Sequence, residues 1–392
     1  MASNAEDPKK PGRKVRVELR RNRGKTVRDK SGWTQGFHDD DIEQADATQV
    51  ESVRAKGDLS RKRTIIVGGE SEESKHWGHG RVVAMHGRVA EVADGDGRWA
   101  CTARRTLRTR LMKQRHAIVV GDRVRFSRVE VAGEGNRMTG KLRQLPEGVI
   151  EEVAERITTL TRHYGRREHV IAANVDTAVI CMAACRPTLR PHLIDRYLVA
   201  VHRGGMRPVV CVNKADLHSD GAAAEVIQRY ARIGYTALLT SAAEGRGIEA
   251  LRDAIRENTS VFVGPSGVGK SSLLNALNPG FSLRIGDLSD LDRGRHTTTT
   301  ACLLQWNFGG YVVDTPGIRQ FELTRIPPEE LEAYFKEFVP LISECRFADC
   351  SHTHETGCAI RSAVEDGRID PARYESYGRM YAECIEKDHE YD

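Results

Sequence analysis

The run Gly264-Pro265-Ser266-Gly267-Val268-Gly269-Lys270-Ser271 constrains the architecture of this chain more than any other stretch. It fits G-x-x-x-x-G-K-[ST] and lies between an apolar strand expected over 260–263 and a helix expected to begin near Lys270. Glycines let such a loop wrap closely, so that backbone N–H groups and a helix N-terminus converge where phosphate oxygens can sit. Lys270 is then placed for β- and γ-phosphates and the Ser271 hydroxyl for Mg²⁺, with Ser272 carrying the loop into its helix.

A loop of this kind belongs to a sheet alternating with helices, and the flanking sequence has that texture. Strands are expected over 176–183, 208–213, 236–240 and 260–263, with amphipathic helices over 193–202, 222–233 and 248–256 between them. The alternation predicts a mostly parallel, doubly wound sheet. With 392 residues the chain is long enough for two or three domains, so this one need not account for all of it.

A phosphate loop does not choose a base. Asn213-Lys214-Ala215-Asp216, directly after a strand, does: the Asp216 carboxylate can accept from guanine N1–H and its exocyclic amine, groups that adenine lacks. Lys214 can lie along the base and Asn213 can brace the loop. An unpaired buried polar group costs far more than a missing methylene, so this carboxylate discriminates strongly. Ser241-Ala242, after Thr240, resembles the small-residue loop beside guanine. Asp314-Thr315-Pro316-Gly317 closes a strand expected over 311–313; Asp314 suits a water-mediated contact to Mg²⁺, and the Gly317 N–H suits the γ-phosphate. Between these motifs, His296-Thr297-Thr298-Thr299-Thr300 offers hydroxyls, Thr298 among them, for the remaining Mg²⁺ coordination. The motifs therefore predict a GTP-binding protein that hydrolyses GTP to GDP.

Their order is rotated. A usual GTPase runs from phosphate loop through switch threonine and Asp-x-x-Gly to Asn-Lys-x-Asp, whereas here Asn213 and Ser241 precede Gly264. Ligand loops of a parallel sheet gather at the carboxyl ends of its strands, so moving the termini leaves the site intact. The expectation is a circular permutation, which sets a further domain immediately after Asp314.

Ahead of this region, short apolar alternations at 81–85, 89–92, 99–103, 118–126 and 148–153 predict a small β-barrel. A basic stretch (Arg104, Arg105, Arg108, Arg110, Lys113, Arg115) suggests that an OB-type barrel here contacts nucleic acid, although small barrels also serve as plain scaffolds. Residues 1–75 are polar, and cations crowd from Lys9 to Lys30; this segment is expected to lack order, either as a solvated tail or as an arm for RNA phosphates. The net charge of +5 is by itself weak evidence for a polyanionic partner.

No apolar run approaches a membrane span, and the first residues, with Glu6 and Asp7, lack a secretory signal, so the expected location is the cytoplasm. Nine cysteines, an odd number with three close together, suggest a metal site rather than a disulfide framework. In Cys345-x4-Cys350-x-His352-x5-Cys358, three thiolates and an imidazole make a full tetrahedral set for one structural Zn²⁺, with His354 a competing ligand.

Together with Asn174-Val175-Asp176, these motifs resemble the circularly permuted GTPases that assist late maturation of the small ribosomal subunit, the RsgA or YjeQ family. The resemblance runs from about Gly78 to the C-terminus and leaves the basic N-terminal segment outside it. It implies a multidomain α/β and β protein: an extension over 1–75, an OB-fold RNA-binding domain over 76–160, a permuted GTPase domain over 161–325 and a helical zinc-binding domain over 326–392. It also implies a cytoplasmic monomer acting on the 30S subunit and its rRNA with ribosome-stimulated turnover. Two other readings stay open, a nucleotide-gated RNA-binding module with incidental hydrolysis and a regulatory GTPase unrelated to ribosomes. The glutamine that positions water in Ras-like enzymes is absent, since Gly317 is followed by Ile318, Arg319 and then Gln320. The resemblance points instead to His296 as the catalytic residue, against a loop histidine that contacts rRNA or packs.

Overall fold

The computed structural model describes residues 13–18, 62–67, 77–105, 107, 118–129, 142, 144–164, 167–217, 221–281, 301–314 and 326–389. The chain divides into two units, Met1–His76 and Trp77–Asp392. In the first, β1 (Arg13–Glu18) pairs antiparallel with β2 (Lys62–Val67), Arg13 opposite Val67. This pair stands where no order is expected from the sequence: β-branched residues such as Val15, Val17, Ile65 and Ile66 are masked there by neighbouring cations. The remainder of 1–75 lies outside the described residues.

The second unit opens with β3 (Trp77–His86), β4 (Val89–Asp94), β5 (Gly97–Ala103), β6 (Arg123–Arg128) and β7 (Glu147–Val153). Their order is β3-β4-β5-β7-β6, with β6 returning to β3, so five strands close into a barrel. The β5–β7 pair is parallel and the other pairs are antiparallel, as in an OB-type barrel. Alternation turns Val82, Val92, Cys101, Val124, Phe126 and Ile150 inward, where all are buried. Most of the basic stretch after Ala103 lies outside the described residues.

The β8 (Thr159–Tyr164)–β9 (Arg167–Ala173) hairpin leads out of the barrel. Asn174, at φ +54, fastens it: its Nδ2 donates to the Gly121 carbonyl at 3.0 Å and its Oδ1 accepts from the Ile157 N–H at 3.0 Å. There follow β10 (Thr177–Ala183), α1 (Pro191–Arg203), β11 (Arg207–Asn213), α2 (Ala222–Arg232), β12 (Thr236–Leu239), α3 (Ile248–Ile255), β13 (Thr259–Val263), α4 (Lys270–Leu277), β14 (Cys302–Gln305) and β15 (Tyr311–Asp314). The strand order is β12-β11-β10-β13-β15-β14, with parallel pairing throughout except at β14. One pair, Cys302 with Ala84, joins β14 to the barrel strand β3.

Both faces of this sheet are covered. Ala178, Ile180 and Met182 pack with α1 and α2, while the alternate residues Val179, Cys181 and Ala183 pack with α3 and α4. Each fully buried Val, Leu or Ile contributes about 1.5–3 kcal/mol, which is why the central strands read as unbroken apolar runs.

The C-terminal segment contains 3-10 turns at Pro328–Tyr334 and Ile342–Glu344, then α5 (Ala359–Glu365) and α6 (Pro371–His389). The start of the domain expected to be helical over 326–392 is thus a 3-10 stretch, ended where Phe335 turns extended and is buried in the core. Phe335, Phe338, Ile360, Tyr377 and Met380 pack against one another and against Val199 of α1.

Candidate functional site

The loops after β11, β12 and β13 and the end of β15 meet at the carboxyl edge of the parallel strands, where such sheets bind ligands. Strand β13 is buried along its whole length and delivers the glycine-rich loop directly. Gly264, at φ +138, lies so close to β10 that a Cβ there would stand 2.1 Å from the Cys181 carbonyl oxygen. Gly269, at φ +93, has no more room, because its Cβ would meet Asn213 Nδ2 at 2.5 Å. Within this loop Val268 is buried, Pro265 is half-buried, and Ser266 and Gly267 are exposed. Lys270 opens α4 and its ammonium donates to the Gly264 and Pro265 carbonyls at 2.8 and 2.7 Å. Ser271 is buried beside it and Ser272 is half-buried.

Asn213 ties three loops together. It is 2% exposed; its Nδ2 donates to the Val268 carbonyl at 3.0 Å, while its Oδ1 accepts from the Ala242 N–H at 3.1 Å and from the Thr240 hydroxyl at 3.3 Å. A buried amide so nearly satisfied fixes the phosphate loop against the two base-side loops. Lys214, at φ +63, stretches across the same gap, its Nζ donating to the Gly267 carbonyl at 2.5 Å and the Arg186 carbonyl at 2.6 Å. The Ser241 hydroxyl donates to Asp216 Oδ1 at 2.6 Å and accepts from the Glu244 N–H at 3.2 Å, which orients the half-exposed Asp216 carboxylate.

Asp314 ends β15 next to β13. Its Oδ1 is buried without a hydrogen-bond partner among the described residues, and burial raises its carboxyl to about 6. An orphaned buried carboxylate beside a phosphate loop fits a cation such as Mg²⁺. His296, Thr298 and Gly317 lie outside the described residues.

A second cluster lies in the C-terminal segment. One ligand atom from each of Cys345, Cys350, His352 and Cys358 lies within 4.8 Å of all the others. His352 Nδ1 faces Cys345 Sγ at 3.5 Å and Cys358 Sγ at 3.4 Å, and its other nitrogen, Nε2, contacts the Glu332 carboxylate. His354, the competing candidate, is turned outward with its side chain 83% exposed. Burial pushes the Cys350 thiol up to about 12, so it ionises only when a cation holds it, and three sulfurs with one imidazole form a donor set that suits Zn²⁺. The Glu355 carboxylate accepts from the Ser351, Thr353 and His354 N–H groups at 2.8, 3.1 and 3.2 Å, shaping the loop that presents His352. Neither Glu332 nor Glu355 stands out in the sequence; each is one acid among many, and only the fold gives it a partner.

A phosphate loop and a guanine-type Asn-Lys-x-Asp loop, set on a parallel sheet in rotated order, define a circularly permuted GTPase. The chain belongs to the RsgA GTPase family, whose model matches residues 153–324. It is 40% identical over 312 residues to the small ribosomal subunit biogenesis GTPase RsgA of Thermotoga petrophila, covering 78% of this chain and 96% of that one. The protein of the same name from Gemmatimonas aurantiaca is 39% identical, with 78% and 97% covered. Among solved structures, YjeQ from Thermotoga maritima superposes with a TM-score of 0.64 at 36% identity, covering 79% of this chain and 99% of its own. YloQ, described as a circularly permuted GTPase, gives 0.61 at 29%, with 81% and 99% covered.

Proposed function

We propose that this GTPase binds the small ribosomal subunit and assists its late maturation, with turnover of GTP to GDP and phosphate stimulated by the subunit. The observation that carries the reading is Asn213, which holds phosphate loop and base loops in one rigid arrangement, in a chain whose relatives are named for small-subunit biogenesis. Asp216, oriented by Ser241, accepts from guanine, with Lys214 along the base and Ala242 beside it. The N–H groups of Gly264 to Ser272 and the Lys270 ammonium hold the phosphates. Bound Mg²⁺ neutralises charge developing on the phosphate oxygens. Ser271 and Thr298 are the hydroxyls that would hold it, Asp314 would contact it through water, and the Gly317 N–H would meet the γ-phosphate. His296 orients the attacking water.

The finer architecture belongs to the same reading: a barrel over 76–160 that contacts rRNA, a doubly wound GTPase domain over 161–325, and a domain over 326–392 held by one Zn²⁺ on Cys345, Cys350, His352 and Cys358. Residues 1–75 form an extension to these. The protein works as a monomer in the cytoplasm; among the described residues no helix is long and apolar enough to cross a membrane. GTP turnover with and without 30S subunits is the test. Strong stimulation is the expected result, whereas binding without stimulation, or no binding, overturns the proposal.

A further inference from the structure

The barrel carries a cationic cavity on the wall that faces the base of the GTPase sheet. Strands β3 and β6 pair so that His79 stands opposite Arg125 and Arg81 opposite Arg123. Directly opposed residues share a face, and since Val124 and Phe126 fill the barrel interior, these four project outward. They line a cavity of about 610 Å³ together with Glu152 and Ala154.

The charges there do not balance. Arg125 is paired with Glu152 at 2.8 Å and lies over the Trp77 ring, 3.6 Å from its centroid, but its Nε is buried without a hydrogen-bond partner. Arg81 donates to the Thr259 hydroxyl and lies 5.6 Å from the Tyr311 ring centroid. Burial and then the Arg123 charge depress the Arg81 guanidinium, which is still cationic at neutral pH. Arg123 is exposed and has no ion-pair partner among the described residues. Like charges directly opposed across two strands destabilise the ladder, and Glu152 is the one carboxylate among the lining residues. Asp176, outside the lining, also faces Arg81 and accepts from the Thr259 N–H, so three guanidiniums stand against two carboxylates and an excess positive charge remains in a cavity of ligand size.

We infer that the Arg81–Arg123–Arg125 cavity is a second anion site of this protein, taking a phosphoryl group of an RNA backbone or of a free polyphosphate. Guanidinium forks match phosphate oxygens in geometry as well as charge. The site is distinct from the nucleotide pocket: Arg81 touches the start of β13, about 16 Å along that strand from the phosphate loop. It also lies off the face through which OB barrels usually bind, because that face is built on the second and third strands, here β4 and β5, and this cavity is built on the first and fourth. An anion here would contact both the barrel and, through Arg81, the strand that carries the phosphate loop.

The test uses the full chain with its phosphate loop saturated by GDP and with Mg²⁺ in excess. Tripolyphosphate and a labelled single-stranded oligoribonucleotide are titrated against the parent and Arg123→Ala. Arg123 contacts no hydrophobic core, so the variant should fold with an unchanged or higher thermal midpoint. Affinity should fall about tenfold at low salt, the loss of one charge-assisted contact, and Arg123→Lys should recover only part of it. Loss with tripolyphosphate identifies a site open to free polyphosphate; loss with the oligoribonucleotide alone identifies RNA backbone as the source. Unchanged affinity for both probes overturns the site, and so does an equal loss from Arg98→Ala on β5, which would indicate diffuse charge instead of a cavity.

Discussion

Two buried polar side chains of the nucleotide site are treated in opposite ways by the fold. Asn213 has partners from two other loops, the phosphate loop and the one after β12, and its loss would release both. Asp314 keeps an oxygen without one, so its ionised form is opposed by burial. Its carboxyl stands at about 6 in the folded protein against 3.8 ordinarily, so the folded state holds its proton more tightly than the unfolded chain does. The protonated group therefore favours the fold below about pH 4, and that advantage is lost as pH rises through 6, a difference of about 3 kcal/mol. A cation at the site reverses the penalty. Asp314→Asn is expected to melt a few degrees higher than the parent at pH 8 without nucleotide or Mg²⁺, to approach it at pH 4, and to lose GTP turnover. Melting curves at the two pH values decide this, and a lower midpoint for the variant at pH 8 would refute it.

Between elements, one link among the described residues is invisible to motif reading. Arg373 of α6 is 1% exposed and donates to Asp195 of α1 at 2.5 Å and to both Glu337 oxygens at 2.6 and 3.0 Å, while Tyr230 of α2 donates to Asp195 at 2.6 Å. Removing one member of a buried charge network leaves its partners unpaired, so Arg373→Ala should destabilise the protein by about 3–5 kcal/mol in urea unfolding; a change under about 1 kcal/mol would contradict the network. Asp195 and Arg373 are 178 residues apart, and nothing local marks either one. The same holds for β14, a four-residue strand ending in Gln305, and for the β8–β9 hairpin, whose charged residues hide its alternation. By contrast β10, β11 and β13 are legible because burial on both faces demands unbroken apolar runs, and the loops after them because phosphate and guanine leave few residue types that serve. The cysteine spacing is similarly legible, but Glu332 on His352 is not. Cys350→Ala should release one zinc per chain and loosen α5 and α6 while sparing guanine binding. Metal analysis that finds folded parent protein without zinc would rule this out.

Across the whole molecule, the rotated order gives Asp314 an unusual successor. In an unpermuted GTPase the chain continues from Asp-x-x-Gly into another strand and helix of the sheet, whereas here it proceeds to the turn at Pro328–Tyr334, which carries the Glu332 contact to His352. Under the proposed reading, nucleotide state at Asp314 would act on the C-terminal segment that follows it in the sequence, and the Arg373 network ties that segment back to α1. A GTPase whose turnover depends on a large partner needs its water-positioning group to become effective only in the complex. In the proposed reading that group is His296, which immediately precedes the switch threonines in the sequence, since imidazole can orient water or accept its proton late in a loose transition state. Gln320 is set farther from Gly317 than the Ras glutamine is from its own glycine; both His296 and Gln320 lie outside the described residues. His296→Ala should therefore keep GTP affinity and 30S binding but lose most of the stimulated turnover, while Gln320→Ala should change it little. Single-turnover hydrolysis on purified 30S subunits measures the difference. If His296→Ala matches the parental rate there, the group that activates water comes from elsewhere, and the subunit itself becomes its source.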